Sequence, residues 1–131
     1  MRDLETARML LTMANKDIRV LEILLSVDHA PEEAFGFHAQ QATEKAFKAW
    51  LAILGRDPPK THSLRSLIVM LEQSGIDVDS LWDFAELSPF AVQFRYEFFD
   101  DMGVDFNHQE ILEKVRRLVE RVGAMDGLRP P

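Results

Sequence analysis

Residues 4–25 read LETARMLLTMANKDIRVLEILL. Within them Leu4, Ala7, Leu11, Ala14, Ile18, Leu21 and Leu25 recur at alternating spacings of three and four, which on an α-helix gathers them into one stripe over about six turns. That stripe needs partner helices, and the rest of the chain supplies them. After Asp28-His29-Ala30, Pro31 fits a first helical position and Glu32-Glu33 suit the positive end of a helix dipole, so a second helix is expected to run to about Leu54. Gly55 can take the left-handed cap there, and Pro58-Pro59 forbid continuation. Its inner face, Phe35, Ala39, Ala42, Ala46, Ala49 and Ile53, is mostly small and permits close helix approach.

Beyond a basic, proline-stiffened loop at 56–62, Thr61 or Ser63 can cap a third helix with Leu64, Leu67, Ile68 and Leu71 inward, ended by Gly75. Asp79 is expected to cap a fourth helix with Leu81, Phe84 and Ala85 inward, and Ser88-Pro89 marks a bend. The pattern continues through Ala91, Val92, Arg95 and Tyr96 until Asp100-Asp101-Met102-Gly103 breaks it. Asn107 with Glu110 resembles a capping box for a last helix carrying Ile111, Val115, Leu118 and Val122. No stretch alternates apolar and polar residues as a strand would. Short connections favour antiparallel neighbours, so the expectation is an all-α, up-and-down antiparallel four-helix bundle with one additional helix over residues 1–123, and a frayed tail at 124–131.

Composition narrows the function classes. A chain of 131 residues at 47% hydrophobic and 28% charged is one domain with a core. Zero cysteines exclude a disulfide framework, a thiolate metal site and a cysteine nucleophile, and suit a reducing cytoplasm. Acids Asp3 and Glu5 at the start and the lack of a long apolar run predict neither signal peptide nor membrane span, hence a cytoplasmic location. The net charge of −7 argues against nonspecific attraction to nucleic acid by the whole surface. Residues 63–131 carry 13 acids against 7 bases, and from Ser66 to Glu113 Arg95 is the sole base. The acidic fourth segment does not suit sequence-specific DNA reading. No glutamate is followed by histidine in a Glu-x-x-His pair, and no Gly-rich phosphate loop or His-Glu-x-x-His is present, so neither metal nor cofactor is expected.

The polar stripe of the second helix, His38, Gln41, Lys45 and Lys48 with Gln40 and Glu44 beside it, has two open readings. One is a solvated face with a Glu44–Lys48 pair worth only ~0.3–0.5 kcal/mol. The other is a groove offering amide and ammonium donors to a phosphate or base. Arg95 is either paired with an acid such as Glu97 or Asp100, or held for a phosphate. Tyr96 reads as a half-buried bundle aromatic or a stacking group, and His62 as part of a capping segment or as an anion contact at a helix start.

Three segments then carry a likeness: Phe37-His38-Ala39-Gln40-Gln41-Ala42-Thr43-Glu44-Lys45-Ala46-Phe47-Lys48-Ala49-Trp50-Leu51, then Pro59-Lys60-Thr61-His62-Ser63-Leu64, then Arg95-Tyr96. In order and spacing they resemble a HEPN domain over about residues 3–122. The resemblance implies a four- or five-helix bundle, usually a homodimer, often paired with a minimal nucleotidyltransferase in a toxin–antitoxin-like system. Many members are metal-independent RNases using an arginine followed, after four to six residues, by a histidine that acts on the ribose 2′-hydroxyl or the leaving oxygen. Arg95 matches that arginine, but Asp100, Asp101 and Met102 stand where the histidine would be, and Glu97 replaces the proline that usually follows the Arg-Tyr pair. What carries over is the binding side: Arg95, Lys45, Lys48 and His62 as the cationic part of a nucleotide or phosphate groove, with Gln41 and Tyr96 as hydrogen-bonding or stacking groups. The expected function is a binding module, noncatalytic alone, contacting nucleotide or RNA. The alternatives are an endoribonuclease toxin that recruits another group, such as His62 of a second copy, and a purely structural dimerisation partner.

Overall fold

The structure, a computed structural model, describes residues 3–87 and 108–125. Helix α1 spans Leu4–Leu25, α2 Glu32–Ile53, α3 Leu64–Gln73 and α4 His108–Gly123, with a 3-10 helix at Asp79–Glu86. Among the described residues there is no strand, and the chain is a helical bundle with an additional short helix. The Ser88-Pro89 bend, the Ala91–Tyr96 continuation, the 100–103 break, Asn107 and residues 126–131 lie outside the described residues.

Local chemistry accounts for the ends. The Asp3 carboxylate caps α1, accepting from the Thr6 backbone N–H at 3.0 Å and from its hydroxyl at 2.6 Å. Those bonds, the hydroxyl's foremost, hold the Asp3 carboxyl below the ordinary carboxylate value. Pro31, expected as the first helical residue, is instead the N-cap of α2, which begins one position later at Glu32; the Pro31 carbonyl takes the N–H of Ala34 at 3.1 Å. Gly55 (φ 82) and Gly75 (φ 92) both occupy the left-handed region after a helix end. Of the two candidate caps for α3, Ser63 does the work, its Oγ accepting from the Ser66 N–H at 3.2 Å, while Thr61 Oγ1 takes the N–H of Ser63 at 3.1 Å.

One expectation is corrected. The segment after Gly75 is not an α-helix capped by Asp79: it is a 3-10 helix whose N-cap is Val78, with no side-chain cap. The reason lies in its period. Val78, Leu81, Phe84 and Leu87 are all buried at a spacing of three, which aligns on one side of a 3-10 helix but drifts around an α-helix. Ala85 is only partly buried.

Helix α2 lies at the centre. Phe35, Ala39, Ala42, Ala46, Ala49 and Ile53 are buried, as are Phe47, Trp50, Leu51 and Ala52 on the flanking faces. Its alanines let α1 approach closely, with the Asp3 N–H reaching the Ala52 carbonyl at 3.0 Å, so the two helices run antiparallel. The four inward residues foreseen for α3 are buried, and α4 buries Leu112, Val115, Leu118, Val119 and Val122, with Ile111 partly so. Phe47 and Phe84 meet edge to face at 6.0 Å, seating the 3-10 helix on α2.

Candidate functional site

The polar stripe of α2 emerges from the core at the places where two carboxylates are buried. Asp17 of α1 and Glu44 of α2 are, with Thr43, the buried polar residues among those described. Asp17 Oδ2 accepts from Lys45 Nζ at 2.7 Å and its Oδ1 meets His38 Nδ1 at 2.8 Å. Glu44 Oε2 pairs with Lys48 Nζ at 3.2 Å, and its Oε1 lies 3.0 Å from His62 Nδ1. Each buried acid is thus gripped by one lysine and one histidine.

The second grip depends on the loop after Gly55 doubling back along α2. Gln40 Nε2 donates to the His62 carbonyl at 3.2 Å, which holds the loop beside the middle of the helix and delivers the His62 ring to Glu44. Ionised carboxylates only accept, so Nδ1 of both imidazoles carries the hydrogen in these contacts and Nε2 faces away. His62 offers its ring most openly, at 77% side-chain exposure, against 28% for His38. The lysines are recessed, Lys45 at 16% and Lys48 at 13%.

Chemically, this is a pre-positioned donor strip. Two carboxylates balance two ammonium groups, so these four side chains together carry no net charge. A lysine ammonium has three N–H donors and spends one on its carboxylate. The others are not spent on that contact, and the Gln41 amide beside them is half-buried. The Glu44–Lys48 pair read from the sequence forms, yet burial and the His62 contact make it more than an exposed i,i+4 pair.

Lys45, Lys48, Gln41 and His62 therefore share α2 and the loop laid along it, whereas Arg95 and Tyr96 lie outside the described residues. Sequence reasoning missed Asp17 as part of the strip. Its signal was an acid inside the apolar row Leu10, Ala14, Asp17, Leu21 and Leu24 of α1. His108, given no role, holds Glu32 through Nε2 at 2.5 Å and packs on Phe35 with ring centroids 4.5 Å apart, which fastens α4 to the start of α2. Among the described residues no group of three or more His, Asp or Glu side chains is placed to hold a metal ion. No described helix is long and apolar enough to cross a membrane.

No curated protein and no solved structure matches the chain. A model of the HEPN domain family matches residues 7–125, a span that takes in all of α1 but its first three residues, the whole α2 strip, the doubled-back loop and α4. Over nearly its full length, then, this chain belongs to the HEPN domain family.

Proposed function

We propose that the chain is a noncatalytic HEPN binding module that contacts single-stranded RNA or a nucleotide through the α2 strip. The observation that carries this reading is the double grip: buried Asp17 and Glu44 fix two ammonium groups and two imidazoles along one side of one helix at 2.7–3.0 Å, with the Lys48 contact at 3.2 Å. Donors so held lose little entropy on meeting a ligand, which favours recognition. Because the strip is charge-balanced, hydrogen bonding rather than bulk electrostatics dominates, in keeping with a chain of net charge −7. Within this reading the module pairs with a minimal nucleotidyltransferase in a toxin–antitoxin-like arrangement and associates with a second copy of itself. The outward row of α1, with exposed Met9, Met13 and Ile23, and exposed Val27 just beyond its end, is apolar surface that such association would bury.

Fluorescence anisotropy with a labelled single-stranded RNA tests the contact. Saturable binding weakened at least tenfold by Lys48→Ala or Gln41→Ala is expected. Affinity should fall with salt along a slope of about one to two in log–log form, far below that of a protein neutralising six to ten phosphates. Binding untouched by both substitutions would refute the assignment.

A second reading is favoured by one specific feature, the exposed His62 ring tied through Nδ1 to buried Glu44, an arrangement that suits a general acid or base. RNA cleavage in EDTA that disappears in His62→Ala would replace the binding module with a metal-independent endoribonuclease. Cleavage abolished by Arg95→Ala would do the same.

A further inference from the structure

The chain has 4 histidines, and their surroundings divide them. His29 is exposed and has no carboxylate partner among the described residues. His38 is anchored through Nδ1 to Asp17 but is only 28% exposed, and it meets the Phe37 ring edge to face at 5.1 Å. His108 spends Nε2 itself on Glu32 and packs against Phe35. His62 combines what the other three have separately: its Nδ1 hydrogen goes to Glu44 at 3.0 Å, a carboxylate 5% exposed, while its own side chain is 77% exposed.

That anchor is held from two directions. Lys48 Nζ lies 3.2 Å from the second Glu44 oxygen, and the Gln40 amide, donating to the His62 carbonyl at 3.2 Å, fixes the backbone that carries the ring. With the hydrogen on Nδ1, the Nε2 lone pair is unshared and turned outward. A carboxylate behind Nδ1–H makes that lone pair a better nucleophile and offsets the positive charge the ring gains when Nε2 forms a new bond. The next residues begin α3. Of the N–H groups at that helix start, Ser63 is taken by Thr61 Oγ1 and Ser66 by Ser63 Oγ, while those of Leu64 and Arg65 have no carbonyl partner within the helix, and such an end favours negative charge.

From this we infer that His62 Nε2 is a phosphoryl-acceptor site, loaded by a small donor of the phosphoramidate or acyl phosphate class. The Nε2 lone pair attacks phosphorus as the donor's P–N or P–O bond breaks, and the electron pair of that bond leaves with ammonia or with a carboxylate. Neither leaving group requires a proton from the protein, because the phosphoramidate nitrogen already carries its own. The ring becomes cationic with its Nδ1 proton still in the bond to Glu44, and nothing is oxidised or reduced. Phosphorylation adds negative charge beside a strip whose two buried lysine–carboxylate pairs otherwise balance. The inference uses the ring but not RNA, so it stands whether the chain binds RNA, cleaves it or does neither.

Treating the full chain with potassium phosphoramidate tests it, with acetyl phosphate as the arm for the second donor and inorganic phosphate as the arm without a leaving group. Mass spectrometry locates the label, and phosphorus NMR tells Nε2 from Nδ1. His62 should take up one phosphoryl group at Nε2, about tenfold or more faster than His29, from one or both activated donors and not from inorganic phosphate. His62→Gln should remove that label. Glu44→Gln should slow it about tenfold, and Gln40→Ala, which frees the loop without touching a buried charge, is the alternative variant if the first is poorly folded. In denaturing urea, where Glu44 no longer faces the ring, His62 and His29 should react alike. Equal rates at His62 and His29 in the folded chain, label at Nδ1 of His62, a preference for His62 that survives urea, or a folded Glu44→Gln chain labelled at the parent rate would each overturn the inference.

Discussion

Replacing Asp17 probes the architecture of the strip. Its side chain is 10% exposed and accepts from two groups, Lys45 Nζ at 2.7 Å and His38 Nδ1 at 2.8 Å. Asp17→Leu removes the carboxylate and strands an ammonium that is itself only 16% exposed. Breaking a buried pair in this way costs about 3–5 kcal/mol, and the residual access of water to Lys45 places the expectation at the lower end, about 3 kcal/mol. Lys45→Met is milder, about 1–2 kcal/mol, because Asp17 keeps its bond from His38. In the double variant Asp17→Leu/Lys45→Met no uncompensated charge is left, and His38 can turn its Nδ1 to water, so the total should fall to about 1 kcal/mol. The three values define a coupling of about 3 kcal/mol, within the range of directly contacting residues. Urea denaturation followed by circular dichroism measures them. In a thermal scan the Asp17→Leu loss corresponds to roughly 10–15 °C for a chain of this length. If Asp17→Leu unfolds within about 0.5 kcal/mol of the parent, or if the double variant shows the plain sum of the singles, the grip is not a buried pair and the strip has no fixed geometry to offer a ligand.

Three further outcomes check individual parts of the fold. Gly75 sits at φ +92 with nothing within 4 Å of an added Cβ, so Gly75→Ala should cost about 1–2 kcal/mol through backbone conformation alone; Gly123→Ala, equally open but not at positive φ, is the control that should not destabilise. Ser63→Ala removes the cap of α3 and should lower stability by about 1 kcal/mol in urea melts, whereas Thr61→Ala, which touches only the residue before the helix, should cost less. The Asp3 carboxyl is depressed by the Thr6 hydroxyl and then by its N–H, so its contribution is present above the unfolded carboxylate value near 3.8 and is lost as pH falls through the lower folded value. Asp3→Asn should therefore lower stability across the neutral region, flatten the most acidic limb of a stability-against-pH curve and converge with the parent at its acid end, and a difference that does not shrink as pH falls below 3.8 would contradict the cap.

The helices that bury a continuous row were legible because periodicity is a direct consequence of which side faces the core. Leu4 to Leu25, Phe35 to Ile53 and Leu64 to Leu71 each display their row without reference to any other segment. The 3-10 helix was misread for a related reason. Leu81 and Phe84 at i, i+3 fit either helix, and the choice is made only when Val78 and Leu87 are counted with them, since an exact period of three then outweighs the cap signal at Asp79. A capping residue says where a turn begins, and the spacing of the apolar positions says how tightly it winds.

The strip was half legible, and the division follows the range of the interaction. Glu44 and Lys48 lie one turn apart, so their pairing is written in one segment. Lys45 looked like a free cation because its counter-charge is carried by a different helix, and that fact depends on the register of α1 against α2. An alanine-lined face approaches closely but specifies register weakly, since its side chains offer few distinct knobs to interlock. Here the Asp17 contacts to His38 and Lys45 add what the alanines lack, two directional bonds that only one axial position satisfies. On this argument the buried acids both set how α1 lies on α2 and arrange the donors that α2 presents, so a substitution that loosens the packing should blur the strip before it unfolds the bundle.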